Sequence, residues 1–298
     1  MSILRASMPI VILFATGCAQ PAGRIIIDRI APAVGPAFPP RLERIDYTSA
    51  ADGFKDWALV LASPEPTWIV MIHGHGSTGD QLFTRPDVRD AWLPLFRAGH
   101  GILTLNLRGN AWMSPAAADD VHALLAEIRA RYGQRRFVFA SGSMGGTSNL
   151  IYAVLHPEDV AGVVALCPAT DLTSYHAWTV QHRAVPIIDE IRRTIEADYA
   201  GTPDQQSDLY RRHSALLQNA RLTMPVFVGH GSADSIIPVT QSRALAQAVG
   251  LRPNFRYAEL EDGEHDAPHV QMKEALAWVQ QRLGEHREPR GEELRTKN

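Results

Sequence analysis

With 298 residues, 45% of them hydrophobic and 20% charged, the chain can bury one large core or two smaller ones. A net charge of −3 with both signs interspersed gives no electrostatic footprint for nucleic acid. No internal period or low-complexity tract points to a repeat architecture.

The chain opens with Arg5, an apolar stretch from Met8 to Ala15 and then small residues, the layout of a secretory signal peptide. That stretch is about half of the roughly 20 residues needed to cross a bilayer. Ala15-Thr16-Gly17-Cys18 resembles a bacterial lipobox. Residues 1–17 are therefore expected to be removed and Cys18 to be lipidated, attaching the protein to a bacterial membrane at the cell envelope; plain secretion is the alternative. Residues 18–44 are expected as a linker, 45–284 as the folded domain and 285–298 as a disordered polar tail. The other cysteine, Cys167, then has no disulfide partner and is expected as a small buried hydrophobe.

Short strand-like pieces come first, Ile45 to Ser49 and Trp57 to Ala62. Trp68 to Ile72 is an apolar run followed by a loop and a helix to about Arg97. Ile102 to Leu107 is the next run. Ser114-Pro115, a cap and first-turn pair, starts a helix that ends near Tyr132. Phe137 to Ala140 leads into a helical pattern carried by Leu150, Ile151, Val154 and Leu155. Val160 to Leu166 precedes an interruption of about fifty residues, Thr170 to Arg221, with helical stretches such as Ile187 to Asp198. Val226 to Gly229, a helix from Pro238 to Val249, Phe255 to Leu260 and a last helix to about Leu283 complete the pattern. The expected fold class is α/β: a mostly parallel central sheet with helices on both faces and a helical lid inserted over the strand ends. Chemistry in such a sheet gathers at the carboxyl ends of its strands.

The Phe137 to Ala140 run enters Ser141-Gly142-Ser143-Met144-Gly145-Gly146, a sharp strand-to-helix turn. Side chains two before and two after the apex of such a turn meet backbone, so both must be small. Ser143 satisfies this, with Ser141 and Gly145 in those places. Ser141 would put Phe139 there, and Ser148 already lies within the helix. Ser141 replaces the glycine of the usual G-x-S-x-G pattern, and a phosphate-binding βα loop is the alternative use of such a turn. Asp234 follows the Val226 run and His265 follows the Phe255 run. Serine needs a base, and the base an orienting carboxylate, so the catalytic candidates are Ser143, His265 and Asp234. The oxyanion donors are expected to be the N–H groups of Met144 and His75.

These segments resemble the α/β-hydrolase fold, in the branch of dienelactone hydrolases and prolyl-oligopeptidase-like esterases. The resemblance covers Ile45 to Leu283. It rests on the elbow at Ser143, on His73-Gly74-His75, on His230 through Pro238 with Asp234, and on Gly263 to His265. The last match is one residue short. His269 and His286 are the rival bases, and Asp171, Asp262 and Asp266 the rival acids. His73 and His230 are expected to be structural, as is the Arg108-Gly109 turn. His73-x-His75 could begin a zinc site, but no further ligand spacing accompanies it. No metal or cofactor is expected. Trp112, Tyr175 and Trp178 are expected to line the substrate pocket. The resemblance implies a serine hydrolase acting on a small-molecule or oligosaccharide ester, with acylated plant polysaccharides as one such substrate. A serine peptidase and a non-catalytic binding protein of this fold are the alternatives. Activity is expected to fall in acid as His265 is protonated.

Overall fold

A computed structural model describes residues 24–284. The leader, Cys18 and the polar tail lie outside the described residues. Among those described, nine strands share one sheet: β1 (Ile25–Pro32), β2 (Leu42–Ser49), β3 (Lys55–Leu61), β4 (Thr67–Ile72), β5 (Gly101–Leu105), β6 (Arg136–Gly142), β7 (Val160–Leu166), β8 (Val226–Gly231) and β9 (Phe255–Leu260). Their spatial order is β1-β2-β3-β5-β4-β6-β7-β8-β9. β1, β2, β3 and β5 pair antiparallel in turn, and every pairing from β5 to β9 is parallel.

The expected linker over 18–44 is corrected. β1 lies inside it and β2 begins at Leu42, so the sheet starts at Ile25. β1 is an edge strand whose apolar run, Ile25 to Ile27, is cut short by Asp28 and Arg29; of its eight residues only Ile25 is buried. Such a strand can carry Asp28, Arg29 and a terminal proline.

The helices are α1 (Gln81–Thr84), α2 (Pro86–Arg97), α3 (Pro115–Tyr132), α4 (Met144–Leu155), α5 (Leu172–Gln181), α6 (Pro186–Asp198), α7 (Ser207–Arg212), α8 (Thr240–Val249) and α9 (Met272–Arg282). Central strands bury both faces, and alternation divides their side chains between two cores. Trp68, Val70 and Ile72 of β4 and Phe137 and Phe139 of β6 pack with α3, α4 and α8. Ile69, Met71, Val138 and Ala140 pack with α1, α2 and α9 on the other face. Pro115 opens α3 with its fixed φ at the first helical position, although the Ser114 side chain makes no capping hydrogen bond. Three helices, α5 to α7, fill the interval between β7 and β8. Asp171, a rival acid, caps the first of them, its Oδ2 accepting from the Ser174 amide at 3.0 Å.

Candidate active site

At the end of β6 the backbone turns so sharply that Ser143 takes φ 58°, a left-handed value that costs a non-glycine residue energy. The turn leaves no room on its inner side. A methyl group on Gly145 would sit 2.1 Å from the Ile72 carbonyl oxygen, and one on Gly146 would sit 2.9 Å from that of Leu166. Ser141 is more than a small residue, because its Oγ accepts from the Ile72 amide at 2.9 Å and ties the turn to β4.

The structure brings Ser143, His265 and Asp234 into one hydrogen-bonded line. Ser143 Oγ donates to His265 Nε2 at 2.8 Å, and His265 Nδ1 donates to Asp234 Oδ2 at 2.7 Å. The Asp234 side chain is fully buried, whereas the His265 ring is partly exposed. Backbone N–H groups of Ile236 and Ile237 donate to Asp234 Oδ1 at 2.8 and 2.9 Å. Burial pushes this carboxyl upward, but hydrogen bonding from His230 and His265 and the backbone outweighs it. The net direction is well below the usual carboxylate range. His230 itself is pinned between the Ser242 hydroxyl and the Ile237 carbonyl.

The other histidines and acids have different surroundings. His269 packs edge-on against Trp92, with ring centroids 4.9 Å apart, and faces Gly142. Asp266 contacts Arg85 at 3.4 Å. His73 holds the loop after β4 through the carbonyls of Gly74 and Asn106.

That loop places the amide of His75 between two engaged neighbours. The Gly74 amide donates to Gln81 Oε1 at 2.9 Å and the Gly76 amide to Asn110 Oδ1 at 2.8 Å. Met144 begins α4, where first-turn N–H groups have no intrahelical acceptor.

A cavity of about 200 Å³ opens at Ser143. Its lining includes Ile187 and Ile191 of α6 with Ile236, and the polar Gln81, Arg85, Asp266 and His269. The expectation that Trp112, Tyr175 and Trp178 line this cavity is corrected. They form a stack outside it, with ring centroids 5.9 and 6.0 Å apart at the two steps. Trp112 and Tyr175 are fully buried, and Trp178 borders a separate hollow beside Gln241. The cause is backbone: Trp112 and Met113 take φ 46° and 54° in succession. The Trp112 indole is buried and donates to His75 Nδ1 at 3.2 Å, while the Tyr175 hydroxyl donates to the Ile236 carbonyl at 3.1 Å. The isoleucine periodicity of α6 could have marked its apolar face, but nothing in the sequence shows that part of it faces Ser143.

Among the described residues, two clusters could in principle hold a metal. Cys167, Asp234 and His265 approach one another, but the acid and imidazole are bonded together and burial keeps the thiol protonated. His122, His156, Glu158 and Asp159 form the second. There, Tyr152, Arg129 and His122 already occupy the oxygens of Asp159. Among the described residues, no helix is long and apolar enough to cross a membrane.

A family model described as the alpha/beta hydrolase fold matches residues 67–189, and one described as secretory lipase matches residues 211–291. No curated protein matches the sequence. Among solved structures, the chain is similar to a puromycin hydrolase, at 18% identity and TM-score 0.64, over 87% of this chain but only 42% of that one. It is also similar to an acetyl xylan esterase from Paenibacillus sp. R4, at 14% identity and TM-score 0.61, over 88% and 90% of the two chains. A monoacylglycerol lipase from Paleococcus ferrophilus matches at 19% identity and TM-score 0.53, over 78% and 100%. At these identities the likeness is one of fold.

Proposed function

We propose that this hydrolase of the α/β-hydrolase fold cleaves carboxylic esters through a Ser-His-Asp triad and an acyl-enzyme. The observation that carries the reading is the unbroken line from Ser143 through His265 to Asp234, at 2.8 and 2.7 Å, with its serine on a strained turn. Ser143 attacks the ester carbonyl while His265 Nε2 takes its proton and later delivers it to the leaving alcohol. Asp234, kept ionised, holds the proton on Nδ1 and stabilises the imidazolium. The Met144 and His75 amides receive the oxyanion. Water then repeats the sequence on the acyl-enzyme.

A cavity of about 200 Å³ suits short acyl groups. The acetyl xylan esterase, nearly the same length as this chain, supports small esters of hydroxylated alcohols, oligosaccharides included. A structural neighbour described as a puromycin-hydrolyzing peptidase favours peptide cleavage as a second reading, but the chain spans under half of that protein. The secretory lipase match supports an exported enzyme, and the lipobox-like Ala15-Thr16-Gly17-Cys18 supports a lipid anchor on it.

The test is fluorophosphonate labelling with peptide mass spectrometry, run beside p-nitrophenyl acetate hydrolysis. A single adduct on Ser143, and loss of turnover in Ser143→Ala, are expected. A folded Ser143→Ala protein with full activity would overturn the reading.

A further inference from the structure

An indole N–H can only donate a hydrogen bond. Trp112 therefore requires a lone pair on Nδ1 of His75, 3.2 Å away, and a neutral His75 carries its proton on Nε2. Burial favours that neutral ring, with Glu190 opposing and His73 adding to it. The Nε2 atom is buried and makes no hydrogen bond. An anionic acceptor is close: Glu190 Oε1 on α6 stands 3.4 Å away, out of line for a hydrogen bond. The Glu190 side chain is 56% exposed, so a change of rotamer can bring it into line. A buried donor left unmade carries the desolvation cost of the group, which a small shift of Glu190 would remove.

The surrounding contacts show what that shift would secure. Flanking amides of the loop are tied down by Gln81 and Asn110, and the inner edge of the His75 ring by Trp112. Trp112 is fixed in turn, its carbonyl accepting from Tyr199 at 3.1 Å. Only the outer edge of the ring is unsecured. The helix that carries Glu190 also carries Ile187 and Ile191 of the cavity wall, so a substrate seated against α6 acts on the same element.

We propose that Trp112 and Glu190 are positioning residues for ester hydrolysis. Trp112 fixes His75 as an Nε2–H donor, Glu190 receives that hydrogen bond when substrate seats against α6, and together they hold the His75 amide where the oxyanion forms. This rests on the ester-hydrolase reading and adds to it a coupling between the α6 wall and the oxyanion loop.

The test is steady-state kinetics on p-nitrophenyl acetate with Glu190→Ala, Glu190→Gln, Trp112→Phe and the double variant Trp112→Phe/Glu190→Ala, each checked for folding by thermal melt. Glu190→Ala and Trp112→Phe are expected to lower kcat about fivefold to fiftyfold, short of the 10²–10³ that loss of an oxyanion donor costs. KM should rise by no more than about threefold, because the Glu190 contact forms as substrate seats, while kcat carries the larger loss through the misplaced His75 amide. Glu190→Gln keeps an acceptor oxygen and should restore most of kcat. The double variant should be little worse than the worse single, since both act through one ring. Two-bond ¹H–¹⁵N spectra should show the His75 proton on Nε2, and this measurement does not depend on the folding of Trp112→Phe. A wild-type kcat in Glu190→Ala, multiplying losses in the double variant, or a proton on Nδ1 would overturn the proposal. If Ser143→Ala abolishes turnover in the same assay, such a failure belongs to this inference alone. An active Ser143→Ala would remove the ester-hydrolase reading and this one with it.

Discussion

The Asp234 carboxylate divides its contacts: Oδ1 takes the two backbone amides that shape its loop, and Oδ2 takes the His265 proton at 2.7 Å with His230 Nε2 3.2 Å away. Asp234→Asn can keep the first pair of bonds through its amide oxygen, so the loop should hold. The amide nitrogen would then face His265 and donate to Nδ1. That moves the imidazole proton to Nε2, where it points at Ser143 and can accept nothing. The expected loss in kcat is about 10⁴-fold, as for the same change in a serine-protease triad, with KM and near-ultraviolet circular dichroism nearly unchanged. A loss of less than tenfold in a folded variant would mean that Asp234 supports the loop without setting the tautomer.

The unit of order around the nucleophile is the β6–turn–α4 element, and its tightest point is Gly145. A methyl group there would meet the Ile72 carbonyl at 2.1 Å and Ser141 Cβ at 2.8 Å, and neither can retreat. Gly145→Ala should therefore lower stability by about 1–3 kcal/mol, the usual range for overpacking, and displace Ser143. A lower urea midpoint together with slower fluorophosphonate labelling is the expected result; unchanged values for both would mean that the turn is looser than its contacts indicate. The same element explains what the sequence made legible. A run such as Val160 to Leu166 is apolar throughout because both faces of β7 are covered, so strands, their order and the loops after them could be read, and with them Ser143, Asp234 and His265. β1 could not, although it holds Ile25, Ile26, Ile27 and Ile30, because Asp28 and Arg29 end the apolar run after three residues, short of a strand's usual length. Nor could the fate of Trp112, since its inward turn depends on positive φ at two ordinary residues, which no glycine marks. The cavity wall was hidden for a third reason. Ile187 and Ile191 belong to an amphipathic helix whose apolar face is legible, but which neighbour that face meets is a tertiary fact.

Across the whole molecule, the helices between β7 and β8 are joined to the rest at a buried polar junction that also holds the Trp112–Met113 turn. His213, 4% exposed, sets Nδ1 3.2 Å from the Met113 carbonyl and 3.1 Å from the Tyr199 hydroxyl. Tyr199 also bonds the Trp112 carbonyl. Burial lowers the pKa of His213 to about 4, with the Met113 carbonyl opposing. In the unfolded chain an imidazole titrates near 6.5. Because the folded value is the lower, the unfolded state binds more protons between the two. This contribution to stability is complete above about pH 6.5 and is lost as pH falls toward about 4. The difference of about 2.5 pKa units corresponds to about 3 kcal/mol. Carboxylates with depressed pKa, such as Asp159 and Asp234, act in a lower window and are common to wild type and variant. His213→Gln keeps polar bonding but cannot be protonated. Urea midpoints measured from about pH 7.5 to about pH 4 should therefore show the variant below wild type at neutral pH, with the gap closing steadily on acidification. A gap that stays constant over that range would mean that His213 accepts its proton without cost and that the junction is open to water.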